Sequence, residues 1–244
     1  MPLRSIRRSA VLLLSMGFGA LPCPVRAQEI VSGREAAAGA AMMAGALLLD
    51  RALDGVVPHG GGVSLEPLSD ALNYGGRPQY AAALLGGTWI VGELAGRGEV
   101  ADAALHVGAA LAAGGVLNGA LKYSIGRERP SATANPHRFR PFAGQNRWQS
   151  FPSGHTVVAF SLASAVSEEA RRPWVTALAY GGAAAVAWSR VYEDKHWASD
   201  VAAGALIGIV AGRGTVRLLH RGGDGAAPAV AIAPGLVAIR IPVR

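Results

Sequence analysis

Two histidines, three cations, a serine–glycine pair and a carboxylate recur in this chain at spacings that suit chemistry on a phosphate group. Lys122 precedes Arg129-Pro130 by seven residues, which is about two helical turns, so both cations can leave one helix face toward one spot. A compact ammonium and a planar guanidinium grip different phosphate oxygens well. Arginine outnumbers lysine 21 to 2, so a lysine here asks for a specific reason, although a solvated helix face explains the pair equally well when it is taken alone.

Pro152-Ser153-Gly154-His155 leads into an apolar, helix-like run. Free backbone N–H groups at a helix start attract an anion, and Gly154 lets that anion come close. Ser153 adds a hydroxyl donor, and His155 stands where it could give a proton to a leaving oxygen. The plainer alternative is an ordinary helix start capped by Ser153 or Thr156. Farther on, Ser189-Arg190 closes one helix and His196 stands just before the next, with Asp200 four residues later. That spacing puts the carboxylate on the same face, ready to accept the Nδ1–H of His196 and leave Nε2 free to attack. In isolation, a satisfied buried His–Asp pair and an arginine facing a helix dipole account for these residues as well.

Eleven specified positions taken together change the balance. Lys122 with Arg129-Pro130, Pro152 to His155, and Ser189-Arg190 with His196 and Asp200 resemble the three motifs of the type 2 phosphatidic acid phosphatase superfamily. That superfamily includes bacterial acid phosphatases, lipid phosphate phosphatases and vanadium haloperoxidases. The resemblance implies an all-α compact helical bundle and metal-independent hydrolysis of phosphate monoesters or lipid (di)phosphates. It implies His196 as the nucleophile forming a phosphohistidine, Asp200 as its orienting partner and His155 as the general acid. Lys122, Arg129, Ser153, Gly154 and Arg190 would form the phosphate cradle. No metal and no cofactor is expected, since the cations already neutralise the phosphate. The motifs read the phosphate and not the group attached to it, so lipid A, undecaprenyl diphosphate, phosphatidic acid and nucleotides all fit. One alternative is a vanadate-dependent haloperoxidase using the same pocket, against which the shortness of the chain argues. Another is a non-catalytic envelope protein with a relict pocket.

The elements that must position these residues are legible as helices over 33–53, 78–96, 99–125, 154–169, 174–192 and 198–219, with a short helix near 65–72. Pro130 stops the run that carries Lys122. Residues 131–151 read as a polar loop that could shape the entrance through His137, Arg138, Phe139, Arg140, Phe142, Arg147 and Trp148, or simply connect. Residues 222–244 read as a linker followed by a short C-terminal β-hairpin turning at Pro234-Gly235. The domain organisation is therefore a signal peptide over 1–27, a helical phosphatase-like domain over 28–221, and the linker with its hairpin.

The signal peptide is read from Arg4, Arg7 and Arg8, an apolar stretch too short to span a bilayer, and small residues at Val25 and Ala27. Cleavage after Ala27 leaves 19 basic against 16 acidic residues and removes Cys23, the single cysteine. The mature chain is then only mildly basic, which makes nucleic acid a poor partner, and it has no thiol to oxidise in an exported compartment. The expected partner is a phosphate-ester substrate, with a membrane lipid as one candidate. Apolar runs at 36–49, 81–92, 103–117, 175–189 and 201–212 each fall short of the roughly 20 residues a spanning helix needs. Buried core helices therefore explain them best, and the expected location is periplasmic or exported, soluble or peripheral, with an integral membrane protein as the alternative.

Overall fold

The computed structural model describes residues 11–13, 32–52, 65–222, 229–233 and 236–240. It divides into a unit over Glu29–Val216 and a second unit made of Met1–Gln28 with Arg217–Arg244. The helices are α1 (Gly33–Ala52), α2 (Glu66–Gly75), α3 (Pro78–Leu94), α4 (Gly98–Ile125), α5 (Gly154–Ala170), α6 (Pro173–Tyr192) and α7 (Ala198–Gly222). Pro78 and Pro173 open α3 and α6, a position where the missing N–H would have had no helical partner anyway. At the far end of α4, Gly126 adopts the left-handed conformation (φ 61°, ψ 53°) and its N–H returns to the Lys122 carbonyl. A Cβ on Gly126 would lie 1.9 Å from the Arg140 carbonyl oxygen, so both the dihedral angles and the space demand glycine.

Helix α5 packs against α4 on one side and α6 on another. Its buried side chains are small: Ala159 and Ala163 meet Ala183 and Val186 of α6, and Ala165 joins Val107, Ala110 and Val216. Small side chains of this kind let helix axes approach closely, as the low aromatic content predicts. The glycines Gly204, Gly208 and Gly212 of α7 form a stripe with a four-residue repeat against α5. A Cβ on Gly208 would stand 2.7 Å from Phe160 Cβ and 2.8 Å from the Val157 carbonyl. Gly208→Ala should therefore lower stability by about 1–3 kcal/mol through overpacking against backbone, read as a lower melting temperature in detergent. An unchanged melting temperature would mean that α7 does not sit so close.

Two observations favour the membrane alternative over short, buried apolar helices. Helix α4 has 28 residues, or about 42 Å at the helical rise, and α4 and α7 are both long and apolar enough to cross a membrane. The apolar run at 103–117 lies inside the helix expected over 99–125, and that helix is observed from Gly98 to Ile125. Large apolar side chains also face outward: Leu94 of α3 is 84% exposed, Val116 of α4 75% and Leu178 of α6 70%. Leu84, Val91 and Trp174 are exposed as well. Large outward apolar side chains on α3, α4 and α6 suit a surface that meets something apolar.

The second unit contains β1 (Val11–Leu13), β2 (Ala229–Ala233) and β3 (Leu236–Arg240), an antiparallel sheet in the order β1-β3-β2. Ala233 pairs with Leu236, as the expected hairpin requires. Apart from Val11–Leu13, the expected leader and its cleavage site lie outside the described residues.

Candidate active site

Lys122 occupies the last turn of α4, where its Nζ donates to the Gln149 carbonyl at 2.5 Å. The turn at Gly126 then sends the chain back in extended form, and residues 127–129 form a backbone ladder with the loop that follows. Glu128 N–H donates to the Arg138 carbonyl, Arg129 N–H to Arg147 and Ser150 N–H to Arg127, each at 3.0 Å. Residues 131–151 are thus a folded strap rather than a loose connector. Arg138 and Arg147, expected near the entrance, are used to satisfy the fully buried carboxylate of Glu128, and both lie over Trp148. Phe139 and Phe142 remain half exposed or more.

The strap fixes Arg129. Its guanidinium donates to the carbonyls of Asn146 (3.0 Å), Lys195 (2.8 Å) and Gln149 (3.3 Å), and to Asn146 Oδ1 (3.1 Å). Nη1 also lies 3.4 Å from Nε2 of His196. His196 is 3% exposed, and its Nδ1 is 2.7 Å from the Ser150 carbonyl. A carbonyl can only accept, so Nδ1 carries the proton and the Nε2 lone pair is left toward the Arg129 side.

The acceptor for Nδ1 differs from the one expected. Asp200 Oδ2 stands 3.7 Å from Nδ1. It accepts instead from Ser150 Oγ (2.5 Å) and from Trp197 N–H (2.9 Å). The reason lies in the start of α7. His196 precedes the helix, and Asp200 reaches back from the first turn to the N–H of the residue before Ala198, as the acidic half of a capping box does. The carboxylate therefore braces Ser150, whose carbonyl holds the ring. Burial lowers the His196 pKa to about 4, with Arg129 and Lys122 acting in the same direction and Asp200 opposing them. The ring is neutral, with Nε2 available, across the neutral range.

Ser153 is fully buried at the N-cap of α5 and makes no side-chain cap hydrogen bond. Its Oγ accepts from Thr156 Oγ1 at 3.0 Å, and its N–H donates to the Asp200 carbonyl at 3.0 Å. The capping alternative for Ser153 is thus not realised, and its hydroxyl proton is left to another acceptor. A Cβ on Gly154 would lie 3.3 Å from Asn118 Nδ2. His155 packs against Gly76, where a Cβ would come within 2.6 Å of His155 Cβ. Burial first, then Arg190, His196, Arg77 and Arg129, hold the His155 pKa down at about 3.

Arg190, at the end of α6, donates from Nη1 to Asn73 Oδ1 (2.7 Å) and to Glu193 Oε2 (2.9 Å). Ser69 in turn donates to Glu193 Oε1 at 2.8 Å, so α2 sets the guanidinium in place. The Arg190 Nε–H is buried and without an acceptor among the described residues. The backbone N–H of His196 donates to the Arg190 carbonyl at 3.2 Å, which ties the third cation to the histidine.

Sequence reasoning missed Arg127, Asp50, Ser150 and Ser199. Arg127 is 2% exposed and donates to Asp200 Oδ1 (2.7 Å), Ser199 Oγ (2.6 Å), Asp50 Oδ2 (2.7 Å) and the Pro136 carbonyl (2.9 Å). Asp50 also accepts the N–H and hydroxyl of Ser199, at 2.8 and 2.6 Å. An acid at the end of the otherwise apolar run 36–49 was the available signal, since a lone carboxylate there needs a partner.

Comparison with known proteins gives a family for this segment and neighbours for its fold. The profile of the PAP2 superfamily matches residues 103–223. A protein of Porphyromonas gingivalis named lipid A 1-phosphatase is 41% identical over 101 residues, which are 41% of this chain and 20% of that protein. A protein of the same name from Rhizobium johnstonii is 38% identical over 98 residues, 38% of each chain. The matched segment thus spans about a fifth to two fifths of the length of these relatives. Among solved structures, Aquifex aeolicus LpxE superposes with a TM-score of 0.54 at 24% identity, over 70% of this chain and 94% of that one. A transmembrane PAP2-type phosphatidylglycerolphosphate phosphatase from Bacillus subtilis gives 0.57 at 20% identity, over 77% and 98%. These two likenesses concern the fold. All three motifs, from Lys122 to Asp200, lie inside the matched segment, so residues 103–223 form a PAP2 superfamily domain.

Proposed function

We propose that this protein is a metal-independent phosphatase acting on lipid phosphates or diphosphates through a phosphohistidine at His196. The observation that carries the reading is the His196 ring, with Nδ1–H on a carbonyl and the unprotonated Nε2 facing Arg129 Nη1 at 3.4 Å. Nε2 attacks phosphorus, and the bond from phosphorus to the leaving oxygen breaks. His155, protonated in the complex, gives that oxygen its proton. Neutral His155 then takes a proton from water, the hydroxide displaces Nε2, and inorganic phosphate leaves. Lys122, Arg129, Arg190, the Ser153 hydroxyl and the Gly154 N–H hold the equatorial oxygens. The buried, unpaired Nε–H of Arg190 is a donor suited to that task.

Three features favour a lipid substrate. The relatives carry the name lipid A 1-phosphatase, α4 and α7 are long enough to cross a membrane, and apolar faces of α3, α4 and α6 point outward. With the leader over 1–27, the site would act outside the cytoplasm. Purified protein in detergent, offered lipid A, undecaprenyl diphosphate, phosphatidic acid and a small chromogenic ester, should release phosphate from a lipid, with no loss to chelator. Release from the soluble ester alone would remove the lipid assignment, and no release from any of them would remove the enzyme.

The depressed His155 pKa adds a prediction about pH. Burial first, and then the surrounding cations, keep His155 neutral; a bound dianion offsets the cations, so binding must raise its proton affinity. Sulfate binding near pH 5 should take up close to one proton. Calorimetry in buffers of different ionisation enthalpy measures that uptake, and His155→Asn should abolish it. Sulfate bound with no proton uptake by the unsubstituted protein would remove His155 as the acid.

A further inference from the structure

Behind His196, on the side away from the cradle cations, lies a chain of buried charges that the three motifs do not include. Asp50 of α1, Arg127 of the extended segment after α4 and Asp200 of α7 are each 2% exposed or less. The Arg127 fork lies between the two carboxylates, at 2.7 Å from each. Ser199 is tied to both sides, accepting from Arg127 and donating to Asp50. Asp200 in turn fixes the hydroxyl of Ser150, whose carbonyl orients the imidazole.

We infer that Arg127 and Asp50 are positioning residues for the nucleophile, acting through Asp200 and Ser150 to set the His196 ring and the charge behind it. The inference rests on the phosphohistidine reading above. Without Arg127, Asp200 Oδ1 loses its charged donor in a site closed to water, so the carboxylate turns or takes up a proton. Ser150 then loses its anchor and the Nε2 lone pair loses its aim. Asp50 keeps Arg127 from swinging wholly to Asp200. With both carboxylates ionised, the group carries one net negative charge, opposite to the cradle in front. That charge favours the positive ring which forms when Nε2 attacks. The other charged groups near His196 are Lys122, Arg129 and His155, none of which touches Arg127.

The test compares Arg127→Gln, Asp50→Asn and the double variant with the unsubstituted protein in detergent on one phosphate ester. For Arg127→Gln, kcat should fall about a hundredfold while KM and the inhibition constant of inorganic phosphate change less than about threefold. The acid limb of kcat/KM should move to higher pH, because losing a cation behind His196 raises its proton affinity. Asp50→Asn should lower kcat about tenfold, and the double variant should be no worse than Arg127→Gln alone, because the two residues act as one unit. A merely structural role would leave KM, kcat per folded molecule and the acid limb where they were, and that outcome overturns the inference. Where Arg127→Gln does not fold, Asp50→Asn decides, and unchanged kcat in that variant overturns it as well. An unsubstituted protein inactive on every phosphate ester sinks the hydrolase reading, whereas an active protein indifferent to both substitutions sinks this one alone.

Discussion

His196→Ala is expected to lower kcat by at least about 10⁴-fold while the cradle still binds inorganic phosphate. Removal of the ring deletes the atom that forms the bond to phosphorus. The cradle cations are fixed by other partners: Lys122 by Gln149, Arg129 by Asn146, Lys195 and Gln149, and Arg190 by Asn73 and Glu193. The phosphate inhibition constant should therefore change little. The same experiment has a covalent arm. Radiolabelled substrate quenched in alkali should leave an alkali-stable, acid-labile phosphoryl group on the unsubstituted protein and none on His196→Ala. Normal turnover with no such adduct would mean that water attacks phosphorus directly.

Arg129→Ala should cost about 10²–10³-fold in kcat, and Arg129→Lys should recover little of it. Arg129 is the cation nearest the attacking atom, 3.4 Å from Nε2. Four donor contacts to backbone carbonyls and an amide hold its plane, so it pays no reorganisation cost when charge builds on the phosphoryl oxygens. Lysine brings the charge but not the fork, and cannot satisfy Asn146, Lys195 and Gln149 at once. Burial lowers the Arg129 pKa, with Arg190 in the same direction and Asp200 opposing, yet a guanidinium stays charged throughout the working range. A kcat for Arg129→Lys within about threefold of the unsubstituted protein would show that point charge alone suffices.

Much of the helical framework was legible because its signals are local. Pro78 and Pro173 open helices and runs of small apolar residues mark the rest, although α4 stops at the left-handed Gly126 rather than at the expected Pro130. The exposure of α4 and α3 was not legible. An alanine-rich helix with scattered leucines reads alike whether its partner is a protein core or a lipid, and only the surrounding packing decides which faces are covered. The strap at residues 131–151 misled in a similar way. Its polar composition looks like a solvated connector, yet Arg138 and Arg147 are drawn across it into ion pairs with Glu128.

From sequence alone came the candidate site residues: Lys122, Arg129, Ser153, Gly154, His155, Arg190, His196 and Asp200, at spacings that helix geometry converts into shared faces. Spacing of that kind is set by bonds along the chain, which a sequence records directly. Tertiary structure decided which atom holds the Nδ1 proton of His196, and it chose the Ser150 carbonyl over Asp200. It also joined Asp50 to Arg127 across 77 residues of chain. Hydrogen-bond partners differ by tenths of an ångström and by which group arrives first, and those distances exist only after α1, the strap and α7 have packed together.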